Sequence, residues 1–139
     1  MTEFTIGVDI SKAHLDVHRL DSGEHARFGN DKAGFWAFAD WIGGRLPDLV
    51  VFEPKGPYHG RFERHFTTHL PLAKVNPLQA RRFAQACGVR AKTDAVDART
   101  LAMMGSGLDL VPDNPADENH HELKELQMRA WAWSKTALA

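Results

Sequence analysis

The sequence predicts an α/β layered domain, a mixed sheet of about five strands flanked by helices, with one more helix at its C-terminal end. Three observations predict it. Apolar residues alternate with period two from Phe4 to Gly29, broken by two tight turns. The period then becomes helical. After that, short apolar runs alternate with helical segments as far as Gly105. In the first strand Phe4, Ile6, Val8 and Ile10 share one face, and Thr5, Gly7 and Asp9 share the other. Ser11-Lys12 turns the chain into His14–Leu20, and Asp21-Ser22-Gly23 turns it again into His25–Gly29. Two tight turns predict an antiparallel meander, because parallel neighbours need long crossovers.

Asn30 or Asp31 can cap a helix whose apolar residues Phe35, Phe38, Ala39 and Ile42 fall at i, i+3, i+4 and i+7, and Gly43-Gly44 ends it. Leu49–Phe52 is continuously apolar, as in a strand buried on both faces. Tyr58, Phe62 and Phe66 recur every four residues and predict a helix. Leu72–Val75 reads as the fifth strand. Asn76-Pro77 then supplies an N-cap and a first-turn proline for a helix ending at Cys87-Gly88. Another helix is expected to begin near Thr93-Asp94 and carry Leu101, Ala102 and Met104.

Composition narrows the classes. A chain of 139 residues holds one domain with a core, and 43% apolar with 25% charged residues excludes disorder and a fibrous class. No apolar run approaches the ~20 residues of a membrane span, and the N-terminus lacks a signal-peptide pattern. A cytoplasmic, membrane-free protein is therefore expected. The single Cys87 excludes an internal disulfide and a thiolate zinc cage, and it reads as a small buried apolar residue. The eight histidines are scattered, which favours polar surface roles over ligation. The net charge of −1 hides an uneven distribution. Asn76–Gly105 holds five cations against two acids, and Ser106–Glu125 holds six acids against Lys124. Both stretches also read as solvated faces.

The organisation expected is a domain over residues 1–107, a linker over 108–121, and the start of a helical or coiled-coil segment over 122–139. In that last segment Leu123, Leu126, Ala130, Trp133 and Ala137 form an a/d seam, suited to joining copies of the chain. The helical pattern runs to the last residue without a stop signal, as in a fragment of a longer chain.

Four carboxylates stand out by position. Asp9 lies near the end of the first strand, opposite its apolar stripe. Glu53 directly follows the buried run. Asp94 and Asp97 are three apart at a helix start. A late helix laid across the sheet can bring the last two near the strand carboxylates. Converging carboxylates repel, and a hard divalent cation resolves the conflict. Oxygen-only ligands favour Mg²⁺ or Mn²⁺ over Zn²⁺, and two such ions suit phosphodiester chemistry. Each residue also has a plain reading: Asp94 and Asp97 as helix caps, Asp9 in a turn with Ser11, and Glu53 as a strand end.

Gly7-Val-Asp-Ile-Ser-Lys12, Phe52-Glu-Pro-Lys-Gly56, Val75-Asn-Pro-Leu-Gln-Ala-Arg-Arg-Phe83 and Ala91-Lys-Thr-Asp-Ala-Val-Asp-Ala-Arg99 are similar to the successive blocks of the IS110-family transposases. The resemblance covers Phe4 to Gly105. It implies a RuvC-like, ribonuclease H-like catalytic domain with a DEDD set at Asp9, Glu53, Asp94 and Asp97 holding Mg²⁺ (or Mn²⁺). It implies DNA as substrate, in cleavage and strand transfer during transposition. Some members are directed by an element-encoded RNA, which makes a guide RNA a candidate partner. Family members also carry a C-terminal domain with a strand-exchange serine. Ser134 has no matching context for it, so the chain reads as truncated before that domain. Lys55 stands where the family often has a small residue or Thr. Candidate nucleic-acid contacts are Lys12, Lys55, Arg81, Arg82, Lys92 and Arg99. Two rival readings are a stand-alone Holliday-junction resolvase of the same superfold and a catalytically silent nucleic-acid-binding and dimerisation module.

Overall fold

Tight turns at Ser11–Ala13 and Leu20–Glu24 fold the first thirty residues into a meander in the computed structural model, which describes residues 4–54, 56–88 and 97–113. Strand β1 (Thr5–Ile10) pairs antiparallel with β2 (His14–Arg19), and β2 with β3 (His25–Gly29). The chain then crosses through α1 (Lys32–Ile42) to β4 (Leu49–Phe52), and through α2 (Gly60–Phe66) to β5 (Leu72–Lys74). Both crossover strands are parallel to their neighbours, giving one sheet in the order β3-β2-β1-β4-β5. Helices α3 (Pro77–Ala86) and α4 (Ala98–Gly107) follow.

Alternation along β1 sorts the core into two layers. Ile6, Val8 and Ile10 join Leu15, Val17, Val50 and Phe52 on one face, beneath Phe35, Phe38, Phe62 and Phe66 of α1 and α2. Leu49, Val51 and Ala73 point the other way, toward Ala80 and Ala84 of α3 and Leu101 and Met104 of α4. The four residues of β4 are all buried, because helices cover both of their faces.

The caps follow the sequence. Asp31 accepts from the Gly34 N–H at the start of α1, and Asn76 accepts from the Leu78 N–H at the start of α3. Two expectations change. Tyr58 lies in the turn before α2 and is exposed. Cys87 is exposed at the end of α3, past the face on which Ala80 and Ala84 are buried and Phe83 packs. Leu108–Asp113, the described part of the expected linker, lies along the sheet edge. The Asp113 N–H donates to the Leu72 carbonyl, and the Asp113 carboxylate accepts from the Lys74 N–H, both at 2.7 Å. That covers an edge strand otherwise open to pairing. Residues 122–139, where the oligomer seam was expected, lie outside the described residues.

On α2, His65 packs against Phe66 and Phe35, with ring centroids 4.7 and 5.0 Å away. Burial lowers its pKa, and His69 and Lys32 add to the depression. The unfolded chain takes up this proton near pH ~6.5 while the fold resists it. Stability is therefore complete above that pH and falls below it until the folded-state pKa is passed. His65→Phe is expected to flatten this fall. Urea midpoints measured at neutral and mildly acidic pH check it, and an unchanged pH dependence would contradict the assignment.

Candidate functional site

A missing side chain positions the site. Gly7 lies on the β1 face opposite the apolar stripe, and α4 rests directly on it. A Cβ built there would overlap the Ala98 carbonyl oxygen and come within 2.6 Å of the Ala102 amide nitrogen. At the other end of α4, Gly105 seats against Val51, Leu49 and Thr5. The helix thus runs antiparallel to β1, and its N-terminus lies at the C-terminal end of that strand.

Asp9, two residues beyond Gly7 on the same face, meets that N-terminus. Asp9 and Asp97 line one cavity of about 420 Å³, together with Asp16, His18, His25 and Arg99. Asp97 is the N-cap of α4, its Oδ1 accepting from the Thr100 N–H at 2.8 Å. The helix therefore begins at Ala98, later than the Thr93-Asp94 start expected from sequence. Glu53 sits one residue past Phe52, and Phe52 pairs with Val8, so Glu53 stands level with Asp9 across β1 and β4. It is buried, with 8% of its surface exposed.

Hairpin register adds residues that the motif reading missed. Asp16 lies directly opposite Asp9, and His18 opposite Gly7. Facing carboxylates are unfavourable unless a cation answers them. Arg27, opposite Asp16 on β3, does so by donating from Nε to Oδ1 at 2.7 Å and from Nη2 to Oδ2 at 3.3 Å. The bond to Asp16 and its charge raise the Arg27 pKa, and Asp9 contributes as well. Burial keeps His18 below the usual imidazole range, Arg99 and His25 lower it further, and Asp97 opposes them. Asp16 was legible in the sequence, since a turn centred on Lys12-Ala13 pairs positions 9 and 16.

The structure brings together Asp9, Asp97 and Arg99, with Glu53 level beside Asp9. Arg81 and Arg82 are exposed on α3, away from this cavity. Lys12 lines a different cavity. Asp94, Lys55 and Lys92 lie outside the described residues. The donors are carboxylate oxygens, the type a hard divalent cation takes. Among the described residues, no three His, Cys, Asp or Glu side chains gather closely enough to hold an ion.

Asp97 caps α4 and is also a candidate metal ligand, and substitution can separate the two. Asp97→Asn keeps an N-cap acceptor, whereas Asp97→Ala loses it at a cost of ~1 kcal/mol. Urea unfolding is expected to be near wild type for Asn and weaker for Ala, with Mn²⁺ binding impaired in both. Equal stability of the two variants would contradict the capping role.

A mixed sheet of this order, with a carboxylate at the end of its central strand and a helix N-terminus laid against it, defines a ribonuclease H-like domain. The chain belongs to the IS110 family of DEDD-type transposases, whose family model, described as a transposase, matches residues 6–134. It is also similar to the pilin gene-inverting proteins of Moraxella bovis and Moraxella lacunata. It is 27% identical to each over 133 residues, 91% of this chain. The chain spans 41% of the length of these curated relatives. No helix among the described residues is long and apolar enough to cross a membrane.

Proposed function

We infer that this chain is the catalytic domain of a DNA transposase or recombinase, acting by Mg²⁺-dependent phosphodiester cleavage and strand transfer in the cytoplasm. One observation carries the reading: α4, seated on Gly7, sets Asp97 against Asp9 in a single cavity. Family membership and gene-inverting relatives support DNA as the substrate.

In this reading Asp9, Glu53, Asp94 and Asp97 hold the divalent cation. Bound there, it would supply charge neutralisation at the scissile phosphate and an activated oxygen nucleophile. Asp9 and Glu53 are fixed by adjacent strands and so keep their spacing. Asp97 is held by the cap of α4, with its second carboxylate oxygen left for the cavity. Arg99 presents a cation to a DNA phosphate. Asp16 is neutralised by Arg27, which leaves the charge of Asp9 and Asp97 for the cation to answer. Lys12, Lys55, Arg81, Arg82 and Lys92 extend the contact to flanking phosphates, and a guide RNA would bind through the same kind of charge. Residues 122–139 join copies of the chain.

Fluorescence anisotropy of labelled duplex DNA tests this without requiring turnover. Wild-type protein is expected to bind more tightly in Ca²⁺ than in EDTA. Asp9→Asn should lose that gain and keep its EDTA affinity. A Ca²⁺ gain surviving in Asp9→Asn would overturn the metal assignment.

A further inference from the structure

A second cavity, of about 330 Å³, opens at the C-terminal ends of β1 and β3, among the segments that lead into α1 and α2. Lys12, Asn30, Pro57, Tyr58 and Arg61 line it. Its chemistry is opposite to that of the Asp9 cavity: two exposed cations and no carboxylate among the described lining residues. Tyr58 leaves 41% of its surface exposed.

Asn30 is the informative residue. Only 9% of it is exposed. Its Nδ2 donates to the Ser11 carbonyl at 2.9 Å and to the Tyr58 carbonyl at 3.0 Å. Both amide hydrogens are therefore used, and the orientation is fixed, because a flipped amide would set its oxygen against two carbonyls. The same two bonds tie the turn bearing Lys12 to the turn bearing Tyr58. The buried Oδ1 then has no donor among the described residues. It is an acceptor held in place for a donor that the surrounding protein does not supply.

We propose that this cavity is a nucleotide site: Lys12 and Arg61 hold one phosphate of a single nucleic-acid strand, Tyr58 stacks on its base, and Asn30 Oδ1 accepts a hydrogen bond from the same nucleotide. Paired cations suit a phosphate, and an open ring beside them is the usual platform of single-strand binding. The donor is either a ribose 2′-hydroxyl or a base N–H, so RNA and DNA offer the same chemistry from two sources. The assignment rests on the nucleic-acid reading above but not on the metal, since no carboxylate takes part.

The test is anisotropy of short labelled single strands with the 139-residue chain in EDTA. The K12Q/R61Q double variant is expected to bind about tenfold more weakly, with a salt slope shallower by ~0.7. Tyr58→Ala should also weaken binding about tenfold. Arg45→Gln, an exposed cation away from the cavity, should change it less than about twofold. RNA binding that exceeds DNA binding and is lost on 2′-O-methylation supports the site with the hydroxyl as donor. Equal binding of the two strands supports it with a base donor. Unchanged affinity in K12Q/R61Q and Tyr58→Ala, or an equal loss in Arg45→Gln, overturns the site and leaves the nucleic-acid reading standing. If wild type binds no single strand yet still binds duplex DNA in Ca²⁺, only the site falls. If it binds neither, both fall.

Discussion

Asp9→Asn is expected to lower Mn²⁺ affinity at least ~100-fold while leaving the fold intact. Losing even an outer partner of a metal ligand typically costs 10–100-fold, and Asp9 is assigned direct ligation. The fold survives because Asp9 is only partly buried, on the β1 face away from the aromatic core. Replacing its charge also relieves the repulsion with Asp16, which it faces directly. Unfolding by urea should therefore match or slightly exceed wild type, while calorimetry with Mn²⁺ shows the loss. Unchanged Mn²⁺ affinity would remove Asp9 from the ligand set.

Gly7→Ala is expected to act on both the fold and the site without altering any carboxylate. The new methyl group would occupy space already held by the backbone of α4, at the Ala98 carbonyl and the Ala102 nitrogen. Backbone on both sides leaves no flexible side chain to yield, so the helix must lift. Overpacking of this kind costs about 3 kcal/mol. Lifting α4 also draws Asp97 away from Asp9, so Mn²⁺ affinity should fall together with stability. Gly44→Ala is the control, since a Cβ there meets nothing within 4 Å. A Gly7→Ala protein as stable as the Gly44→Ala protein would mean that α4 does not rest on β1.

The strands and caps were legible because each depends on local chemistry. The turn at Ser11–Ala13, the Asp31 and Asn76 caps and the four-residue run of β4 are all readable within a few residues. Asp9 and Glu53 were legible for the same reason, as polar residues ending apolar strands. Asp97 was placed near a helix start, but its position as the N-cap of α4 was not legible. Whether a D-x-x-D pair opens a helix or precedes one depends on where the backbone turns, and that depends on how α4 meets Gly7. Asp16, His18 and His25 were missed because they join the site through strand register, which the motif blocks do not record. The cavity at Asn30 was beyond reach altogether. It forms where three connections meet, and no periodicity marks such a place.

Helix α4 carries an acid to the end of β1, where the proposed metal site lies. The most direct measurement is a crystal of the protein soaked in Mn²⁺ and examined at the manganese absorption edge. Anomalous density in the cavity that Asp9 and Asp97 line, absent from Asp9→Asn crystals, is the predicted result. Density elsewhere, or none at that position in the wild-type protein, would contradict it.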